Sequence, residues 1–504
     1  MAIRRRRLMG LMLGAFCVTA VTALAEGPRQ RPNILFIFAA DHSPRTVSCY
    51  PEAYEMACKP NCDRLGASGI RFRAAYFGSW CMPSRASLLT GLHPHAIESM
   101  RMEGPYPGST YDPQRCRFWP SVFRQHGYQT AQIGKWHTGT DAGYGRDWDH
   151  QRVWNRPAEP KNAGNYYGPQ WIETNGTREW VEGYATDRYT EWACDYIRGG
   201  NRLAEKPWYL WVCYGGVHRP TIPAARHRGR LRQQTAQLPA DIVGPRPGKP
   251  AYLEATQAWE LRADGAAAWR RGGKTHTQWL QQTMECLAAV DEGVGKLLAA
   301  LAETGQLEQT LVVYSSDQGF ANGEHGLLQK VAPYDAAYAS PLIVSRPGTL
   351  PAGRVCQHSV NAADLVVTFF AQAGIPLPWK MHGRDFSQLL RNPDDASWDH
   401  PTLYEHTGQH YGVDVAAAVS RGDAVHQRVP YYAAVCQHQL KYIRYFGADL
   451  PEELYDLGDD PHELCNVVDD PRYADQLRAL RTAWMVELQA TDAPFLSQLR
   501  AGRD

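Results

Sequence analysis

Cys81 stands in the run Ser79-Trp80-Cys81-Met82-Pro83-Ser84-Arg85-Ala86-Ser87-Leu88-Leu89-Thr90-Gly91. Pro83 suits a first helical turn, where a missing N–H costs nothing, and Gly91 suits a C-terminal cap. The spacing predicts a helix with Cys81 just before its N-terminus, where free N–H groups and the helix dipole favour an anion. Such a cysteine is either a reactive centre or a buried or disulfide-bonded thiol. Further polar groups follow apolar runs. Residues 33–38 lead into Asp41, 129–133 into Lys135 and His137, 208–214 into His218, and 311–314 into Asp317 and Gln318. Near-continuous apolar runs are what strands covered on both faces demand. In open α/β sheets the active site gathers outside the carboxyl ends of the strands. Any one of these residues alone reads equally well as a cap or turn residue. Four such ends together with Cys81 point to a site.

The elements that must position these groups imply an α/β fold. It has a large, mostly parallel central sheet flanked by helices, and a smaller C-terminal α+β subdomain with an antiparallel sheet. Residues 278–304 carry Leu287, Val290, Val294, Leu297, Leu298 and Leu301 at helical spacing and stop at Gly305; 362–373 is a second helix ending at Gly374. Residues 431–435, 440–446 and 453–457 read as antiparallel strands, and 473–488 as an amphipathic helix. The expected organisation is a catalytic domain over 26–393 and a C-terminal subdomain over 394–504, with 219–274, rich in Arg, Gln, Pro and Gly, as a surface insertion.

With 504 residues, 44% of them hydrophobic, the chain is long enough to bury one large core and a smaller one. The net charge of +1 gives no whole-protein attraction to nucleic acid or membranes, so affinity for an anionic substrate must come from local charge. Residues 1–25 read as a secretory signal: Arg4 to Arg7, an apolar stretch to Leu24, and Ala23-Leu24-Ala25 before Glu26. An exported protein, periplasmic or extracellular, follows, with no membrane segment in its mature form. Of the 12 cysteines, Cys17 leaves with the signal. Pairing in an oxidising compartment is expected first among Cys49, Cys58 and Cys62. A zinc site at Cys58-x-x-x-Cys62 lacks a second ligand pair at finger spacing.

The run Cys81-x-Pro83-Ser84-Arg85, followed by Ala-Ser-Leu-Leu-Thr-Gly, resembles the signature of the type I, formylglycine-dependent sulfatases of the alkaline phosphatase superfamily. Several other segments resemble that family's elements: residues 31–38, Gly134-Lys135-Trp136-His137, Val217-His218-Arg219-Pro220, Ser316-Asp317-Gln318-Gly319, Gly323-Glu324-His325-Gly326 with Lys330, and Glu453 to Leu457. The resemblance implies that a formylglycine-generating or maturase enzyme oxidises Cys81 to an aldehyde, which hydrates to a geminal diol. One hydroxyl attacks the sulfur of a sulfate ester; the second collapses the sulfated hemiacetal and releases sulfate, a step unavailable to serine. It further implies that Arg85 holds residue 81, and that Asp41, Asp317 and Gln318 bind Ca²⁺ together with residue 81. Lys135 and Lys330 contact sulfate oxygens, His218 protonates the leaving oxygen, and His137 assists collapse.

The implied substrate is a sulfated polysaccharide or oligosaccharide, a carrageenan-like galactan or a glycosaminoglycan. His325, His95 and Trp136 are the expected sugar contacts, with Trp148, Trp154 and Trp171 as further loop-borne aromatics. One departure stands out. Sulfatases of this type carry two adjacent aspartates after the first strand, and here the pair is Ala40-Asp41. Two other readings accompany the sulfatase one: a phosphomonoester or phosphonate hydrolase, since the same superfamily fold supports phosphoryl chemistry, and, because of Ala40, a catalytically impaired sugar-binding homologue.

Overall fold

The side chains of the Asn33–Ala39 strand alternate between two hydrophobic layers, and every residue in it is buried. Ile34, Phe36 and Phe38 point into one layer, Leu35 and Ile37 into the other. In the computed structural model, which describes residues 31–103, 108–447 and 450–500, this strand lies inside an eleven-stranded sheet. It pairs in parallel with Thr310–Ser316 on one side and Trp208–Cys213 on the other. Trp208–Cys213 pairs in parallel with Gln129–Lys135, and that strand with His150–Trp154. Antiparallel strands flank this parallel centre: Ser340–Ser345 beside Thr310–Ser316, and Gln170–Thr174 with Thr177–Val181 beyond His150–Trp154. Ile70–Tyr76 runs antiparallel to Ser340–Ser345 and so shares the direction of the central strands.

Helices cover both faces, which is why these strands read as continuous apolar runs. The Cys81–Thr90 helix and the Ala362–Ala373 helix lie on the layer holding Phe36, Phe38 and Trp211. His276–Glu303 and Ala185–Ile197 lie on the layer holding Leu35, Ile37 and Val212. Truncating a filler such as Phe36 to Ala costs about 3–5 kcal/mol. The His276–Glu303 helix starts ahead of the predicted Gln278. A capping box sets its start: the Thr275 side chain accepts from the Gln278 N–H and the Gln278 side chain accepts from the Thr275 N–H.

A second sheet of four antiparallel strands begins at Thr402, after the last strand of the large sheet ends at Asn361: Thr402–His406, Tyr432–Gln437, Leu440–Tyr445 and Glu453–Asp456. Both its faces are buried. One packs on the Ala474–Ala490 helix through Leu403, Val435, Leu480 and Trp484. The other packs on the main body, where Tyr404 stacks on Tyr76 with ring centres 4.4 Å apart. Lys441 pairs with Glu463 at 2.7 Å on its own side of that interface and reaches across it to Asp335. Within 219–274 the chain forms the Tyr252–Ala255 helix and a Trp259–Leu261/Ala267–Trp269 hairpin, whose Trp259 is buried.

The signal segment expected over 1–25 lies outside the described residues. Among the described residues the cysteines are free thiols, so the pairing expected of Cys49, Cys58 and Cys62 is not formed. Cys62 is instead buried, its backbone N–H held by Asp291 at 2.9 Å.

Candidate active site

Five strand ends deliver the chemistry to one edge of the large sheet. Asp41 follows Ala39, His137 follows Lys135, His218 follows Cys213, Asp317 follows Ser316, and Tyr76 leads through residues 77–80 to Cys81. Cys81 is the first residue of its helix rather than the residue before it. Trp80 takes the extended capping position, and Gly91 closes the helix in the left-handed conformation at φ +71°. All ten residues of this helix are buried.

Around the Cys81 sulfur the charges form a closed set. Lys330 Nζ stands 3.3 Å from the sulfur and donates to Asp41 Oδ1 at 2.8 Å. Gln318 Nε2 lies 3.7 Å from the sulfur and also donates to Asp41. Asp317 accepts from the Asp41 N–H at 3.0 Å through one oxygen; through the other it accepts from Arg85 at 3.0 Å and Lys135 at 3.4 Å. Arg85 is completely buried and also donates to the Lys135 carbonyl at 2.9 Å, which ties the Cys81–Thr90 helix to the Gln129–Lys135 strand. Three cations against two carboxylates leave the pit one positive charge in excess before the thiol is counted. Burial pushes the Cys81 thiol up, but Lys135 and Lys330, with His137 and His218 close by, hold it well below its ordinary range. The site is built for an anion.

Two histidines sit differently at this pit. His137 is buried, and burial holds its pKa down to about 3 although Cys81 favours its protonation. It is therefore neutral at ordinary pH. The side chain of His218 is 21% exposed, and its Nε2 lies 3.9 Å from Asp41 Oδ2. Its Nδ1 is 2.7 Å from the Arg219 carbonyl, which can only accept, so Nδ1 carries a proton and Nε2 faces the pit. Tyr166 stacks on the His218 ring at 4.1 Å and lies under the Lys135 ammonium at 5.5 Å. Nothing in the local sequence marks Tyr166, because the stack is made by a loop from elsewhere in the chain.

Other expected contacts lie apart from this group. The Trp136 ring is buried in the core, with its indole N–H donated to the Gly139 carbonyl at 2.9 Å. Trp148 and Trp154 are also buried. His95 is fully engaged: Nδ1 meets Glu405 at 2.8 Å and Nε2 meets the Thr491 carbonyl at 3.0 Å. His325 is buried against Tyr334, and its Nδ1 meets Asp241 at 2.7 Å.

Asp41 and Asp317 supply carboxylates, and Gln318 supplies an amide oxygen once its side chain turns, since Nε2 now faces Asp41. This oxygen donor set fits a hard divalent cation. Asp41, Cys81 and His218 bring ligand atoms within 4.8 Å of one another. Ala40 contributes only backbone: its N–H donates to the Gly216 carbonyl at 3.0 Å and its carbonyl accepts from Val217 at 2.6 Å.

Comparison with known proteins agrees with this geometry. Residues 32–375 match the Sulfatase family model, and 323–490 match the model for N-sulphoglucosamine sulphohydrolase, C-terminal. The chain is 28% identical over 525 residues to the N-acetylglucosamine-6-O-sulfatase of Bacteroides thetaiotaomicron, covering 93% of this chain and 88% of that protein. It is 25% identical over 475 residues to the N-acetylglucosamine-6-sulfatase of Capra hircus, covering 89% and 81%. A structure solved with its substrate D-glucosamine-2-N,6-O-disulfate superposes with a TM-score of 0.77 at 24% identity, over 92% of this chain and 98% of that one, and so shares the fold. With a buried cysteine among three cations at the carboxyl edge of an alkaline phosphatase-like sheet, and a family model spanning that sheet, the chain belongs to the sulfatase family and is a sulfuric ester hydrolase.

Proposed function

We propose that this protein removes sulfate from a carbohydrate, with a 6-O-sulfated N-acetylglucosamine unit of a glycan as the first substrate to test. The observation that carries the reading is the convergence of Lys135, Lys330 and Arg85 on a buried residue 81, with the half-open His218 on the solvent side. The two N-acetylglucosamine-6-sulfatases matched over most of their length support the sugar class.

The residues divide the work as follows. Lys135 and Lys330 bind sulfate oxygens, and Arg85 fixes the helix that presents residue 81. Oxidised to formylglycine by a maturation enzyme, residue 81 supplies one hydroxyl for attack on sulfur and a second that permits sulfate release. His218 holds a proton at Nε2 for the departing sugar oxygen; its Nδ1 anchor and Tyr166 fix the ring. Neutral His137 is suited to accept a proton from residue 81 when sulfate leaves. Asp41, Asp317 and Gln318 would hold Ca²⁺, which when bound offsets charge on the sulfate. Among the described residues no helix is long and apolar enough to cross a membrane. Export through the signal read at 1–25 is part of this proposal.

A phosphonate or phosphomonoester hydrolase built on two metals requires two ligand sets. Asp41, Cys81 and His218 form a single potential metal group among the described residues. The deciding experiment uses protein whose residue 81 has been checked by peptide mass spectrometry. Sulfate release is measured from N-acetylglucosamine 6-sulfate, sulfated galactans and aryl sulfate, beside phosphate release from aryl phosphate and phosphonate esters. Turnover of the sugar sulfate that Cys81→Ser abolishes, with binding retained, supports the reading. Faster phosphonate or phosphate ester cleavage, or activity that survives Cys81→Ser, rejects it.

A further inference from the structure

Arg219 follows His218 directly, yet its guanidinium makes no hydrogen bond and meets no carboxylate within ion-pairing distance among the described residues. Its neighbours are two ring faces, Phe320 at 5.2 Å and Trp279 at 5.8 Å, both rings buried. Other buried arginines are paired: Arg85 with Asp317 at 3.0 Å, and Arg45 with Glu324 at 3.7 Å. A half-buried cation without a counterion is costly, and stacking on ring faces leaves the in-plane N–H fork unused. That fork matches a carboxylate or sulfate in bidentate geometry. Arg219 is also the next residue after His218, the histidine proposed to serve the sugar oxygen. A groove of about 360 Å³ lies close by in the chain, lined by Thr221, Ile222, Arg228, Arg232, Gln278 and Glu285, beginning two residues past Arg219 and including the helical turn that carries Trp279.

We infer that Arg219 receives a second anionic group on the sugar or on its neighbour, a carboxylate or a further sulfate, so that the preferred substrate is a polyanionic saccharide rather than a monosulfated one. The inference rests on the sulfatase reading and specifies its substrate. Lys135 and Lys330 serve the scissile sulfate, and Arg219 reads the alcohol portion that departs.

The test compares wild type, Arg219→Gln and Arg219→Lys on three sugars sharing one 6-O-sulfate: N-acetylglucosamine 6-sulfate, its N-sulfated counterpart, and a uronate-linked disaccharide of the first. The expected result is a wild-type kcat/KM about tenfold or more higher for at least one dianionic sugar, the size of one charge-assisted contact. Arg219→Gln loses that preference through KM, with kcat and the monosulfated sugar within about twofold, and Arg219→Lys recovers part of it. The N-sulfate and uronate arms tell which anion is read. Calorimetry repeats the comparison without turnover, using Cys81→Ser and the Cys81→Ser/Arg219→Gln double variant. Equal affinities of these two proteins for the dianionic sugars overturn the inference. So does an equal loss on mono- and dianionic substrates, which marks Arg219 as a positioning residue for His218. A wild type that turns over no sulfated sugar rejects the sulfatase reading instead, and the calorimetric pair still decides the fate of Arg219. If Arg219→Gln unfolds, Arg219→Lys decides: it keeps the charge and the stack but lacks the fork, so an unchanged preference overturns bidentate reading.

Discussion

Lys330 is bonded to Asp41 at 2.8 Å, with one ammonium serving both the carboxylate proposed to hold Ca²⁺ and the sulfur 3.3 Å away. Burial opposes the charge on Asp41, but Lys330 and His218 hold its carboxyl below the usual range, and Asp41 in turn raises Lys330. A cation entering this site shares Asp41 with a bound ammonium, and beside it Ala40 offers a methyl group.

Ala40→Asp is expected to tighten Ca²⁺ binding and raise turnover at limiting calcium, because it adds one oxygen ligand and one negative charge. The position is fully buried, so the new carboxylate is destabilising when no cation faces it. The melting temperatures should cross: the variant melts below wild type in chelator and gains more on adding calcium. Calcium titrations followed by activity and by melting measure both. An affinity that is unchanged or weaker shows that the native site is complete without that ligand and that Asp41, Asp317 and Gln318 are misassigned.

His218→Ala should lower kcat on unactivated sugar sulfates by about 10²-fold or more, and far less on aryl sulfates with good leaving groups. A general acid matters only when the departing oxygen is basic. Equal losses on both substrate types would assign His218 a positioning role.

The His95–Glu405 pair predicts a pH dependence of stability away from the pit. Burial disfavours the imidazolium, yet Glu405 at 2.8 Å raises the His95 pKa above its ordinary 6.5. Because the folded pKa is the higher, the contribution is fully present below the unfolded value and is lost as pH rises through the folded one. His95→Gln should cost about 3–5 kcal/mol at pH 5.5, the cost of breaking a buried pair, and less at pH 9. Thermal unfolding of both proteins across that range checks it; a difference that stays constant with pH means the pair is not ionised.

Much of this site was legible because it is written in local terms. An apolar run followed by a polar residue names a strand and its end, and Pro83 and Gly91 bracket the nucleophile helix. Trp136 shows how a legible signal can be misread. Lys135 and His137 flank it, but the strand ends at Lys135 and the backbone turns at His137, where φ is +68°, and the Trp136 indole goes into the core with its N–H on the Gly139 carbonyl. The Thr275/Gln278 capping box was likewise present in the sequence. Other features were out of reach. His95 finds Glu405 310 positions away, and Tyr166 meets His218 from a separate loop. The isolation of Arg219 is a fact about what does not surround it, which no local pattern records.

The depth of Cys81 sets a timetable for the cell. The residue is 1% exposed and opens a helix whose residues are all buried, tied to the neighbouring strand by Arg85. On the formylglycine reading, an enzyme that oxidises this cysteine would have to handle extended chain, so the choice between catalyst and inert thiol would be made before the helix docks. A peptide spanning 79–91 should be converted by a maturation enzyme, whereas the folded thiol protein should resist until denatured; conversion of both at one rate would show that the helix opens readily. Chains that fold faster than they are modified would then accumulate as a stable, native-looking and silent population, and specific activity would report the outcome of that race rather than the quality of the fold.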